Sequence, residues 1–202
     1  MPRYKDAERE QIKKEARRRL VDAALNEFAA EGYAGANINR ISQAAGFAQG
    51  TIYNYFATKL ALFEAVVHQI AVQHQELIVH GAAGATEPAA RLERFFAAGC
   101  AFAQGFPEAT RVIISALYGA DPEVRALVYQ AYEWLVSYVE HEIVRAGLLE
   151  RHFRPVDPRL ATALIVTAYL GGCSQGAEGD QIRQNPRAVA ALLLDGLRRG
   201  AD

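Results

Sequence analysis

Cysteine, methionine and tryptophan are scarce in this 202-residue chain, which has two, one and one of them. Cys100 and Cys173 lie in apolar surroundings 73 positions apart with no secretory signal before them. Two buried reduced thiols in a cytosolic protein are expected, with one disulfide between them as the alternative. Long hydrophobic runs are missing as well. The longest, Leu160 to Cys173, falls short of the ~20 residues that span a bilayer. The opening Met1-Pro2-Arg3-Tyr4-Lys5 is charged and lacks the apolar segment of an export signal. A soluble, cytoplasmic protein with no membrane partner is expected. Lysine stops at Lys59, beyond which the cations are twelve arginines against sixteen acids.

Enzymatic fingerprints are also wanting. His141-Glu142-Ile143-Val144-Arg145 opens like a zinc-protease motif, but its fifth residue is arginine, so the second metal ligand is gone. His68, His74 and His80 recur every six residues, which scatters them around a helix. There is no nucleophile elbow or P-loop, and the glycines from Gly171 to Gly179 follow a helical pattern rather than a strand. No catalytic residue, metal site or cofactor is expected. A helical enzyme stays only as a remote alternative.

Half of the chain (51%) is hydrophobic, enough for a real core. The net charge of −1 argues by itself against a nucleic-acid partner. Its distribution argues the other way: residues 1–59 carry +3 and residues 60–202 carry −4. A basic end on an acidic body suits a DNA-reading head on a body that avoids phosphates.

The chain is organised around residues 37–59, NINRISQAAGFAQGTIYNYFATK. Asn37 is a good N-cap, and Ile38, Ile41 and Ala45 repeat on one helical face. Gly46 follows at the position where a left-handed residue closes a helix. A second apolar series, Ile52, Phe56, Leu60 and Phe63, predicts a second short helix. The residues between its anchors are polar, small or phenolic, as a helix lying in a major groove requires.

Upstream, Ile12, Ala16, Leu20, Ala24 and Phe28 predict one long amphipathic helix ending at Gly32–Gly35. Its other face holds Lys13, Lys14, Arg17, Arg18 and Arg19. That face is either solvated and laced by i,i+4 pairs or an arm that contacts phosphates. Downstream, Asp121-Pro122, Asp157-Pro158 and Asn185-Pro186 each couple a cap to a proline at the first helical position. With Pro88, Pro107 and the intervening glycines, they predict helices over 58–80, 87–105, 107–118, 122–147, 157–175 and 186–199. No strand alternation survives between them. The fold class is all-α.

The stretch AAGFAQGTIYNYFATKLALF, with Phe28, Gly32 and Tyr33 before it, resembles the helix-turn-helix signature of the TetR family of transcriptional repressors. The small-Gly-apolar turn, the Gly-Thr-Ile-Tyr core, the aromatic pair and the lysine opening the next helix carry the match over about the first 65 residues. The rest is similar only in length and helical pattern. Ala36-Asn37 stands where the family often has a threonine pair. Ala48 stands where a serine would cap the recognition helix, so that helix is expected to start loosely until DNA orders it.

The resemblance implies a three-helix DNA-binding domain over 1–58 and a larger helical ligand-binding and dimerisation domain over 59–202. It also implies a homodimer on a palindromic operator, acting as a repressor or, alternatively, an activator. By motif position, Gln49 and Asn54 face bases and Asn39 reaches a base edge. Thr51, Tyr53, Tyr55 and Lys59 hold phosphates, Gly50 allows close approach, and Asn37 completes the DNA-facing set. The body's aromatics are ordinary core or the lining of a pocket, implied by the resemblance, for a small hydrophobic or aromatic effector. Phe95, Phe96, Tyr118, Tyr129, Trp134 and Tyr138 are its candidate lining. The apolar stripes along 160–172 and 189–197 either cover the core or pair with a second copy, as the family's last two helices do. Leu164, Ala168, Gly172, Val189 and Leu193 are the expected interface.

Overall fold

The computed structural model describes residues 2–173 and 177–197, with side chains over 7–172 and 179–197. All described segments are helical or connecting. In chain order they are α1 (Pro2–Gly35), α2 (Ile38–Ala44), a 3₁₀ turn (Thr51–Asn54), α3 (Lys59–Ala82), α4 (Pro88–Gly105) and α5 (Pro107–Tyr118). Then come α6 (Pro122–Ala131), α7 (Glu133–Tyr138), a π-helical segment (Val139–Arg145), α8 (Ala146–Leu149), α9 (Pro158–Cys173), α10 (Ala177–Gln184) and α11 (Pro186–Leu197). Six of these helices start on a proline, whose missing N–H costs nothing in a first turn. Asp121 Oδ1 accepts from the amides of Glu123 and Val124, and Asp157 Oδ1 from that of Leu160, so two of the three expected caps form; at the third position, Asn185 Nδ2 donates to the Gln181 carbonyl.

Contacts divide the chain into two compact units. The first runs to Ile70 and takes in Arg111–Val128; the second holds Ala71–Thr110 and continues from Tyr129. In the first unit, Leu20, Ala24 and Phe28 of α1 are buried with Ile41 of α2, Ile52, Phe56 and Phe63. Phe28, Tyr33 and Phe63 form an edge-to-face and stacked trio, a geometry their ring quadrupoles favour. Ile12 departs from the expected stripe: it is 63% exposed, and burial along α1 begins only at Ala16 because nothing packs on residues 7–15.

The second unit is built on Phe95 and Phe96 of α4, Leu135 of α7, Val139 and Ile143 of the π segment, Ile165 and Tyr169 of α9, and Leu194 of α11. The single helix expected over 122–147 is instead broken. Tyr132 leaves the helical region (φ −108°, ψ 10°), and the ladder then widens into the π segment. The segment ends at Arg145, and in the α8 turn that follows an added Cβ on Gly147 would lie 2.2 Å from the Phe153 ring. Helix α10 has no counterpart in the expected elements, because Gly179 and a polar composition hide it. Its Ile182 covers Gly171 and Gly172 of α9. Cys100 is a buried free thiol whose pKa is pushed up by burial, while the side chain of Cys173 lies outside the described residues. Gly176 and Gly200, expected as helix ends, lie outside them too.

Candidate functional site

Helix α2 starts as its sequence requires. Asn37 Oδ1 accepts from the amides of Asn39 (2.9 Å) and Arg40 (3.3 Å), so this side chain is occupied as a cap. The Asn37 amide donates to Glu27 Oε1, which also receives Arg40 at 2.7 Å. Burial pushes the Glu27 carboxyl up, but these bonds outweigh it and hold its pKa below the ordinary value. Gly46 then turns the chain at φ 78°.

The recognition element differs from the expected helix. It is one 3₁₀ turn preceded by Gly50 at φ 83°, with no side-chain cap. The Ala48 side chain cannot accept from the first amides, so Thr51 N–H donates to the Ala48 carbonyl instead (3.2 Å), and a left-handed Gly50 shortens the run to four residues. A Cβ on Gly50 would meet nothing within 4 Å, so here the glycine supplies backbone conformation. Ile52 and Phe56 anchor the turn in the core. Asn39, Gln49, Gly50, Tyr53 and Asn54 are exposed, and Thr51 and Tyr55 are half-buried. Lys59 is turned elsewhere: its ammonium donates to the carbonyls of Ala34 (3.1 Å) and Ala36 (2.7 Å) and lies 5.1 Å from the Tyr33 ring. Two of its three donors thus close the end of α1 onto the start of α3.

The arginine run of α1 has parts that the sequence left open. Arg17 lies over Phe56 at 4.8 Å, and Arg18 pairs with Glu15 and Asp22. Arg19 donates to the Ala45 carbonyl at 2.5 Å and covers the Phe47 ring at 5.1 Å. A Cβ on Gly46 would fall 2.5 Å from the Arg19 guanidinium, a second reason for glycine there. Arg17 and Arg19 therefore staple the helix-turn-helix to α1. Arg19→Ala is expected to cost about 1 kcal/mol in urea unfolding, since the bond is partly exposed. It should weaken DNA binding and leave the salt slope unchanged. A phosphate contact would instead lower that slope by about one.

The candidate aromatics separate into two groups. Phe95 and Phe96 are wholly buried, Tyr138 stacks on Phe95, and Trp134 is half-buried beside them. Tyr118, in the first unit, is 73% exposed and Tyr129 is 62% exposed, so neither joins the buried aromatic group. Their outward register on α5 and α6 explains it, since Val124 and Val128 take the inward positions of α6.

The centre of the group is a residue that sequence reasoning set aside. His74 is 3% exposed and stacks on Phe102 with ring centroids 4.1 Å apart. Its Nε2 lies 2.5 Å from the Tyr169 hydroxyl and its Nδ1 3.3 Å from that of Tyr132. In a neutral imidazole one nitrogen donates and the other accepts, so the two phenols take opposite parts. Burial lowers the His74 pKa to about 4. The signal for it was present: Val67, Ala71, His74 and Ile78 share one buried face of α3.

On α9 and α11, Leu160, Leu164 and Leu192 stand exposed around an apolar groove of about 260 Å³, with Leu193 also lining it. Ala168 and Val189 are half-buried against the core. Gly172 is corrected as an interface residue, because Ile182 of the same chain covers it. Among the described residues no cluster of His, Cys, Asp or Glu is placed to hold a metal ion. No helix among them is long and apolar enough to cross a membrane.

A family model, Bacterial regulatory proteins, tetR family, matches residues 20–66, which hold the cap, the turn and the stapled anchors just described. The head of the chain is that of the TetR family. Similarity to individual curated proteins differs in extent. The HTH-type transcriptional activator FasR of Mycolicibacterium smegmatis is 30% identical over 142 residues, covering 68% of this chain and 63% of that protein. YdgC of Bacillus subtilis, an uncharacterized HTH-type transcriptional regulator, is 42% identical over 53 residues, 26% of this chain. The matched stretch spans 27% of YdgC's own length. The fold extends further than the sequence likeness. The crystal structure of FadR from Bacillus subtilis in complex with stearoyl-CoA superposes with a TM-score of 0.79 at 21% identity, covering 88% of this chain and 97% of that one. The chain thus shares the all-helical architecture of that structure, a TetR-type helix-turn-helix head followed by a larger helical body.

Proposed function

We propose that this chain is a cytoplasmic TetR-family repressor that binds a palindromic operator as a homodimer and is released by a small hydrophobic or aromatic ligand. In this reading residues 1–58 bind DNA and residues 59–202 bind the ligand and dimerise. One observation carries it: Gln49, Tyr53 and Asn54 are exposed on a turn whose apolar residues Ile52 and Phe56 are buried. A surface so anchored and so free of charge suits base edges, with Asn39 beside it. Thr51 and Tyr55 are assigned to flanking phosphates. Lys59, bonded to Ala34 and Ala36, is assigned to positioning rather than to a phosphate.

The exposed Leu160, Leu164 and Leu192 support the dimer, since an apolar groove with a leucine rim suits an isologous contact. Two heads are what a two-fold operator needs, with half-sites about one helical turn, ~34–36 Å, apart. The aromatic group around His74, with Phe95, Phe96, Trp134 and Tyr138, supports an apolar effector site, and FadR, with its bound stearoyl-CoA, lends the same support by fold. The activator reading is favoured by the FasR likeness alone, and the two readings differ only in where the operator lies.

A mobility shift with genomic fragments identifies the operator and separates this reading from an enzyme. On that operator, Gln49→Ala and Asn54→Ala are expected to change base preference and to cost ~1–3 kcal/mol per lost pair of base contacts. Sedimentation of the complex should give an even number of chains per operator. Uniform weakening on every sequence would show that these side chains do not read bases.

A further inference from the structure

The second unit contains a polar atom that its own packing does not satisfy. Trp134 Nε1 is buried, and it has no hydrogen-bond partner among the described residues. Thr110 and Thr162 also have buried unpaired hydroxyls, but a threonine O–H rotates and can turn to a carbonyl of its own helix. An indole N–H cannot. The Trp134 ring is held perpendicular to His74, with centroids 5.8 Å apart, and tilted against Tyr132 at 6.0 Å. Its donor therefore has one direction, and leaving it dry is costly unless something accepts from it.

The surroundings restrict what that acceptor is. His74, Tyr132 and Tyr169 are uncharged, and both phenols are bonded to His74. Phe95 and Phe102 complete the cluster. Arg91, whose charge acts on Tyr138, donates to the carbonyls of Ala85 and Glu142. A carboxylate or an ammonium would enter without a counter-charge, at a cost that a neutral oxygen avoids. Helix α7, which carries Trp134, is a six-residue piece between the break at Tyr132 and the π segment. Such interruptions recur at functional sites because a short piece shifts without unwinding a long helix.

We infer that Trp134 Nε1 is the donor that reads the effector, and that the effector carries an uncharged acceptor, a ketone, ester or thioester oxygen, on an apolar or aromatic body. This rests on the proposed ligand-binding role of the second unit and specifies its chemistry. It also gives α7 a part in the response, because the bond to Trp134 forms only with ligand in place.

Four probes of one shape test it on the full-length protein: 4-phenylbutan-2-one, butylbenzene, 3-phenylpropanoate and 4-phenylbutylamine. By calorimetry the ketone is expected to bind about tenfold more tightly than butylbenzene, the ~1.4 kcal/mol of one net hydrogen bond. The two charged probes should bind more weakly than the ketone. Trp134→Phe should bring the ketone to butylbenzene ratio to about one. Because the chain has a single tryptophan, its indole N–H gives one resonance, which serves should the variant fold poorly. In the wild type the ketone should move that proton downfield and butylbenzene should not. A ketone that binds without moving it, or no better than butylbenzene, overturns the inference and leaves an effector site standing. If none of the four binds, the effector reading of this unit fails with it.

Discussion

Gly99→Ala should be among the most damaging single substitutions in the second unit. A Cβ at this position of α4 would lie 2.0 Å from the Tyr169 ring and 2.3 Å from its hydroxyl. The contact is with a ring that is 4% exposed and bonded to His74, not with the loose end of a flexible chain. The ring must leave its site, and the phenol bond to Nε2 goes with it. Overpacking of this kind costs about 1–3 kcal/mol, and the buried bond adds about 1 more. For a protein of this size that corresponds to a fall of roughly 10 °C in the melting temperature. Calorimetry of Gly99→Ala in wild-type and Tyr169→Leu backgrounds checks the cause. Most of the penalty should vanish where the ring is already gone. An equal penalty in both backgrounds would place the strain elsewhere.

Stability should also fall steeply below pH 6.5, and His74 should account for much of the fall. The unfolded chain protonates this imidazole near 6.5, whereas burial holds it neutral in the folded protein down to about 4. Between those values the unfolded state binds more protons, so stability rises with pH and is lost as the pH drops. The groups packed on His74 are Phe102 of α4, Tyr132, Trp134 of α7 and Tyr169 of α9, none of them charged, so no carboxylate offsets the loss. At ~1.4 kcal/mol per pH unit, the deficit reaches about 2 kcal/mol at pH 5 and about 3 kcal/mol at pH 4. Urea unfolding of the wild type and of His74→Phe, at pH 7.5 and pH 5, measures it. The variant loses the two phenol bonds and is less stable at neutral pH. Its disadvantage should shrink by about 2 kcal/mol at pH 5. A constant difference would mean that His74 titrates alike in both states.

Short-range signals in the sequence were enough for most of the fold. Asn37 caps α2, Ile41 and Ala45 are buried, Gly46 is left-handed, and the Asp-Pro pairs start α6 and α9, because each depends on residues within one helical turn. The likeness to the TetR family rests on the same compact stretch. Exposure of Gln49, Tyr53 and Asn54 follows from the burial of Ile52 and Phe56, again by local spacing. What the sequence did not disclose depends on partners far along the chain. Arg19 meets Ala45 across 26 positions and Lys59 meets Ala34 across 25, so neither could be told from a phosphate-seeking cation. Helix α10 escaped notice because its one large apolar residue, Ile182, has meaning only against the glycines of α9. Tyr118 and Tyr129 looked like Phe95 and Tyr138 until the register of each helix was known. The His74 network joins α3, α4, α7 and α9 over as many as 95 positions. A lone histidine in an apolar stripe marks burial, but only the folded chain decides which phenols and rings close around it, because those contacts exist only once the helices have packed.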